Sequence, residues 1–260
     1  MIRYLILGVV QGVTEFLPVS SSGHLVLFQS WLGLDPPGVL LEAILHWGTL
    51  AAVLVVFRHD LVAIVRSLTP RGSIDDRKEI GLIAAGTIPI VVVGLLLRGS
   101  IGGIFGSTVV LGTAFLITAF WMVLPTIVRR PVERNRARFT GAVAVGIAQA
   151  ASILPGLSRS GATIATGGLT GMTPRGAARF SFLLAIPALF GAGALNLWEA
   201  VRAGAEETSW AGLIVGAIAA FAVGLLAIRT LLALVSRGRL WVFSIYCGIL
   251  GLLVLTGLVV

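Results

Sequence analysis

Long apolar runs broken by short polar gaps dominate this chain. Six of them are long enough to cross about 30 Å of hydrocarbon as helices: residues 39–57, 80–97, 107–128, 179–198, 210–228 and 240–259. Two further apolar stretches do not fit that template. Residues 4–17 stop at Pro18, followed by Ser20-Ser21-Ser22-Gly23; residues 140–154 stop at Pro155-Gly156, followed by Ser158-Arg159-Ser160-Gly161. Proline ends or kinks a helix, and serine suits the start of the next. Each stretch is therefore expected to form two half-helices joined at a polar turn, a re-entrant hairpin. Irregular backbone persists at membrane depth only where protein packs around it or water reaches it.

The two hairpins echo one another. At an offset of 138 residues Gly8, Gln11, Ser20, Ser22 and Gly23 meet Gly146, Gln149, Ser158, Ser160 and Gly161, and Thr14 meets Ser152. The prolines match with a slip of one residue, and Gly81-Leu82-Ile83 is echoed by Gly212-Leu213-Ile214. A duplicated unit of one hairpin plus three spans explains this pattern, with repeats over 1–128 and 139–260 of a single membrane domain. Three is odd, so the hairpins enter from opposite faces and their tips can meet near the midplane. The expected fold is an all-α integral membrane protein, six transmembrane helices plus two re-entrant helical hairpins in an inverted-topology repeat.

Composition agrees. Hydrophobic residues make up 57% of the chain and charged ones 12%, with a mean hydropathy of +1.02. No soluble domain hides that much apolar surface. The first apolar stretch carries Glu15 and lacks a small-residue cleavage site, so it is expected to stay in the mature protein. A net charge of +8 would suit nucleic acid, but the basic residues sit in short gaps between spans. The connections 58–79, 129–138, 170–179 and 229–239 hold fifteen Arg or Lys; the N-terminus, 98–106 and 199–209 hold Arg3, Arg98 and Arg202. The basic set is expected to be cytoplasmic, which leaves both termini outside. Cys247, the single cysteine, lies in the last span and reads as a small buried hydrophobe. No Rossmann, phosphate-loop or zinc-ligand pattern occurs, which argues against a soluble hydrolase, a redox enzyme or a nucleic-acid binder.

Ionisable groups at membrane depth are costly, so Glu15, His24, Glu42, His46 and Arg159 each need a reason. The guanidinium of Arg159 offers a fork of donors matched to phosphate or carboxylate oxygens. Ser158 and Ser160 flank it with hydroxyls, and Gly156 and Gly161 let backbone N–H groups approach a ligand. The half-helix after each turn starts near the midplane, so both positive dipole ends point at one place. The result is a candidate anion site; a structural Arg–Glu pair between repeats is the plainer alternative. Gln11 and Glu15 lie four apart on one helix face, and His24 follows Ser20 and Ser21 by one turn. His24 could activate a serine, attack phosphorus or protonate a leaving group. Glu42 and His46, four apart on the first full span, could support the site or simply bond between helices.

The run Gln11-Gly-Val-Thr-Glu15-Phe-Leu-Pro18-Val-Ser20-Ser21-Ser22-Gly23-His24 resembles the first signature of the bacitracin-resistance type undecaprenyl-pyrophosphate phosphatases. Pro155-Gly-Leu-Ser158-Arg159-Ser160-Gly-Ala-Thr163 resembles their second. The resemblance implies a membrane hydrolase that converts a C55 isoprenoid pyrophosphate to the monophosphate and inorganic phosphate. That reaction recycles the carrier for peptidoglycan and related polymers and confers bacitracin resistance. It also implies dependence on a divalent cation, magnesium or calcium, with Glu15 as a candidate ligand, and a homodimer in the bacterial cytoplasmic (inner) membrane with its active site on the outer side. Glu15, Ser21 of the serine cluster, His24 and Arg159 are then the catalytic residues. Gln11, Ser20, Ser22, Glu42, Gly156, Ser158, Ser160, Gly161 and Thr163 are the expected substrate-binding residues. Gln11 stands where many members have Glu, so a mechanism needing two carboxylates would draw the second from Glu42. Ser21 is the preferred nucleophile with Glu15 or His24 as base; attack by His24 or water is the alternative. An inverted repeat around a midplane anion site also describes carriers, so an isoprenoid-phosphate transporter is the rival reading. A lipid-binding scaffold without turnover is the third.

Overall fold

The structure is a computed structural model that describes residues 1–33, 39–70, 72–97, 107–128, 131, 134–202 and 209–259. Arg98, the connection 98–106, Arg129, Arg130 and residues 203–208 of the 199–209 connection lie outside the described residues. Among the described residues the protein is all-helical. Each expected re-entrant stretch is two helices. In the first, α1 (Ile2–Thr14) ends four residues before Pro18, and α2 (Ser21–Trp31) begins after it. The first half continues with α3 (Val39–Val56), α5 (Ile74–Leu96) and α6 (Thr108–Val128), with a short α4 (Arg58–Ser67) after α3. The second hairpin is α7 (Phe139–Ala151) and α8 (Arg159–Leu169), followed by α9 (Pro174–Arg202), α10 (Trp210–Ser236) and α11 (Trp241–Leu255).

Serine starts many of these helices for a local reason. The first-turn N–H groups have no intrahelical acceptor, and the side chains of Ser20, Ser158, Ser73 and Ser209 accept from the N–H three residues on.

Among the described residues α5, α6, α9 and α10 are long and apolar enough to cross a membrane, and α3 with α4 makes a fifth if that bent pair is one span. The bend is 73° at Phe57. Residues 58–67, expected as connection, are thus helical: Asp60 in the first turn and Arg66 in the last suit the helix dipole. The expected span at 240–259 contains a helix of 15 residues, short for a crossing. In α5 only 11% of the most apolar window is buried, and Ile88, Val91 and Leu95 face outward. Exposed aliphatic residues on such a scale need hydrocarbon around them.

The helices pack by exchange between the two halves. Helix α1 lies on α10 while α7 lies on α5; α3 meets α10 while α9 meets α5. Helix α3 also packs on α9, and α6 on α11. Small residues permit the closest crossings: Gly8 abuts Gly216, Gly146 abuts Gly86, and Gly112 abuts Gly251. A side chain at Gly8 or Gly146 would run into the opposing carbonyl oxygen, and one at Gly112 into the Leu255 side chain first; small residues of this kind let membrane helices gain close contact without a hydrophobic driving force. Phe16, Phe115, Phe180 and Phe182 fill the centre, where both hairpins end.

Candidate active site

Glu15 is the C-cap of α1, one turn after Gln11, and only 7% exposed. Buried carboxylates need partners, and this one draws them from both hairpins. Arg159 Nη2 donates to Glu15 Oε1 at 2.5 Å across 144 residues of sequence. The Ser21 hydroxyl donates to Oε2 at 2.5 Å, and Gln11 Nε2 donates to the same oxygen at 3.1 Å. His46 Nε2 stands 3.9 Å from Oε2. A hydroxyl bonded to a carboxylate is the first requirement of an activated nucleophile.

Arg159 holds one bond in reserve: its Nη1 is buried without a partner. A buried guanidinium N–H with nothing to bond is expensive, and an anionic oxygen would satisfy it. Ser21 and Arg159 are each the first residue of a half-helix, so the N-terminal N–H groups of α2 and α8 converge with them.

The turns hold the two hairpins to each other. Ser20 Oγ accepts the Gly156 N–H at 3.1 Å, and Ser22 Oγ lies 3.4 Å from Ser20 Oγ. Ser160 Oγ donates to the Leu17 carbonyl at 3.2 Å, and Thr118 Oγ1 donates to the Gly156 carbonyl at 2.9 Å. Gly156 has φ +91° and Ser20, a non-glycine, φ +68°. Several groups offered by sequence to an anion are thus used in assembly: the Gly156 N–H by Ser20, the Gly161 N–H by Ser158 Oγ at 3.1 Å. Thr163 is fully buried, and its hydroxyl contacts the Arg159 carbonyl at 2.7 Å and Ser181 Oγ at 2.6 Å, inside the α8–α9 packing.

Glu42 and His46 separate in role. Glu42 Oε1 accepts from Gln29 Nε2 at 3.4 Å, whereas His46 faces Glu15. His46 Nδ1 bonds the Glu42 carbonyl at 2.7 Å; a carbonyl only accepts, so Nδ1 carries the proton and Nε2 points at the carboxylate. His24 turns the other way. Its Nδ1 bonds the Ser20 carbonyl at 2.8 Å and its Nε2 the Tyr246 hydroxyl at 2.7 Å. Sequence reasoning missed Gln29, Thr118 and Tyr246. Their signals are single polar residues in apolar helices, and Tyr246 stands in no motif.

Among the described residues no group of three or more His, Cys, Asp or Glu could hold a metal by itself. The one oxygen of this cluster that is buried without a partner is Gln11 Oε1; both oxygens of Glu15 already accept hydrogen bonds. An apolar cavity lined by Leu50, Leu54, Ile83 and Phe190 lies apart from the cluster and includes none of its residues.

The family model for bacitracin resistance protein BacA matches residues 4–253. The chain belongs to the BacA family. Relatives named undecaprenyl-diphosphatase align over nearly the full length. That of Halothermothrix orenii is 38% identical over 97% of this chain and 96% of its own, and that of Korarchaeum cryptofilum 43% over 97% of each. The Rhodopirellula baltica relative is 41% identical over 98% of this chain and 96% of its own. Both hairpins, and hence the Glu15–Arg159 pair, fall inside the region matched to the BacA family.

Proposed function

We propose that this chain is an integral membrane phosphatase that hydrolyses undecaprenyl pyrophosphate to undecaprenyl phosphate and inorganic phosphate. It thereby recycles the carrier for cell-wall polymers and confers resistance to bacitracin. One observation carries the reading: the Ser21 hydroxyl donates to the Glu15 carboxylate that pairs with Arg159, whose Nη1 stays buried without a partner, and a purely structural Arg–Glu pair between the hairpins needs neither feature.

The reciprocal packing of α1 on α10 and α7 on α5 supports two inverted repeats, 1–128 and 139–260, with six spans and two re-entrant hairpins. The isoprenoid tail stays in the bilayer while the pyrophosphate head enters between the hairpins. The free Nη1 of Arg159 and the first-turn N–H groups of α2 and α8, other than those of Gly23 and Gly161 that the serine caps take, bind phosphate oxygens and stabilise charge that develops on the transferring group. Ser21 Oγ attacks the terminal phosphorus as its proton passes to Glu15 Oε2. The bridging P–O bond breaks, isoprenyl monophosphate departs, and water then cleaves the phosphoserine. Glu15 and the Gln11 carbonyl oxygen would hold a magnesium or calcium ion, whose charge would offset that of the pyrophosphate.

The basic connections lie on the cytoplasmic side and the active centre opens outward. A difference between the halves favours an enzyme over a carrier. At the offset of 138, Glu42 and His46 correspond to Phe180 and Leu184, both fully packed. At these two positions polar residues therefore occur in the first half alone.

The test is phosphate release from a long-chain isoprenyl pyrophosphate by purified protein, with and without EDTA, beside Ser21→Ala and Glu15→Gln. Release that needs a cation and falls about 10²–10⁴-fold in Glu15→Gln is expected. No release from folded wild-type protein with any divalent cation would sink the reading. An active Ser21→Ala protein would move the nucleophile to water.

A further inference from the structure

His24 lies in the signature that suggested a catalytic histidine, yet both of its ring nitrogens are taken, and neither by Glu15, Ser21 or Arg159. The residue is 4% exposed. Phe115 meets it edge-on with centroids 5.6 Å apart, and Tyr246 lies nearly parallel to it with an interplanar angle of 11°. Phe115 on α6 and Tyr246 on α11 are 131 residues apart, the same offset that relates Gly81-Leu82-Ile83 to Gly212-Leu213-Ile214. Matching positions of the two halves thus enclose one imidazole.

The bonds fix its tautomer. The Ser20 carbonyl only accepts, so Nδ1 donates to it at 2.8 Å; in the neutral ring Nε2 then accepts from the Tyr246 hydroxyl at 2.7 Å. The backbone N–H of His24 reaches the same carbonyl at 3.2 Å. Ser20 is the residue that needs bracing. It has φ +68°, a conformation that serine rarely adopts unless its surroundings enforce it. From that strained position its Oγ accepts the N–H groups of Gly156 and Gly23, and the next residue presents Ser21 to Glu15.

We infer that His24 is a positioning residue: Tyr246 locks its tautomer, and its Nδ1–H holds the Ser20 turn that joins the hairpins and aims Ser21, so that His24 neither attacks phosphorus nor protonates the leaving group. The inference rests on the diphosphatase reading for its kinetic consequences only.

Asparagine can reproduce the Nδ1 donor of histidine and glutamine the Nε2 position. The experiment compares turnover of His24→Asn, His24→Gln, Tyr246→Phe and the double variant His24→Asn/Tyr246→Phe. His24→Asn should stay within ~10-fold of wild type, the cost of an imperfect hydrogen bond, and His24→Gln should lose ~100-fold or more, as loss of a positioned group does. Tyr246→Phe should lower kcat with KM unchanged, and adding it to His24→Asn should cost nothing further. Equal collapse of folded His24→Asn and His24→Gln overturns the inference. So does an acid-labile phosphoenzyme that survives Ser21→Ala and disappears in His24→Asn. Nitrogen-15 NMR of histidine-labelled wild-type protein reads the brace without turnover: an Nδ1–H tautomer at His24 supports it and an Nε2–H tautomer overturns it. Wild-type protein that shows the Nδ1–H tautomer but releases no phosphate would sink the diphosphatase reading and leave the brace standing.

Discussion

The two hairpins match in outline and differ at the atoms that matter. Both place a serine at the N-cap of the second half-helix, Ser20 and Ser158, and a glycine three residues later. The residue between cap and helix body differs: Ser21 in the first, Arg159 in the second, each the opening residue of its helix. Both bond one carboxylate, Glu15, whose counterpart at the offset of 138 is Ile153. The strain differs too. The first hairpin carries its positive φ at Ser20, +68°, where the equivalent Ser158 is extended at −76°; the second carries it at Gly156, +91°. At the offset of 138, differences at two positions, Ser21 against Arg159 and Glu15 against Ile153, thus give one centre rather than two.

The comparison can be broken most severely at Arg159. Arg159→Ala should abolish phosphate release by about 10³-fold, since a preorganised donor to the transferring group is lost. It should also destabilise the fold by about 3–5 kcal/mol, because Glu15 stays buried without its cationic partner, held by the Ser21 and Gln11 hydrogen bonds alone. Thermal unfolding in detergent beside the activity assay separates the two. The next largest effect is expected at the packed counterparts of the polar pair. Leu184→His should cost about 1–3 kcal/mol or more by burying an unsatisfied ring, with no gain of activity; a stable, faster variant would mean that the two halves are interchangeable. Gly8→Leu and Gly146→Leu should each destabilise by about 1–3 kcal/mol, by overpacking against Gly216 and Gly86. A loss in only one would break the reciprocity of the packing. Smallest of all, Ser158→Ala should cost about 1 kcal/mol as a lost cap. Ser20→Ala should cost more, because Ser20 Oγ also accepts the Gly156 N–H of the other hairpin.

The interruptions near Pro18 and Pro155 and the serine caps could be read directly, since they depend on backbone chemistry within a few residues, although the helices end at Thr14 and Ala151, a turn before each proline. The same local logic found Glu15, Ser21 and Arg159, because a charge or hydroxyl cluster stands out in an apolar chain. Helix α4 was not legible: its charges looked like a connection, and Arg179 of α9, which bonds Asp60 at 2.5 Å and Glu79 at 2.5 Å, ties it to distant chain. Nor did spacing separate Glu42 from His46. Four apart, they share a helix face, and only the packing of α3 beside α1 turns His46 to Glu15 while Glu42 meets Gln29.

By itself the sequence determined an apolar, helical membrane chain, two interrupted helical stretches and the polar residue types gathered at their turns. These follow from hydropathy, proline geometry and the cost of burying charge, which act over a turn or two of helix. Tertiary structure alone decided which of those residues meet. Glu15 and Arg159 become partners, the Gly156 N–H goes to Ser20, and His24 faces Tyr246 because hydrogen bonds end within about 3 Å. Only packing between helices brings such distant residues that close.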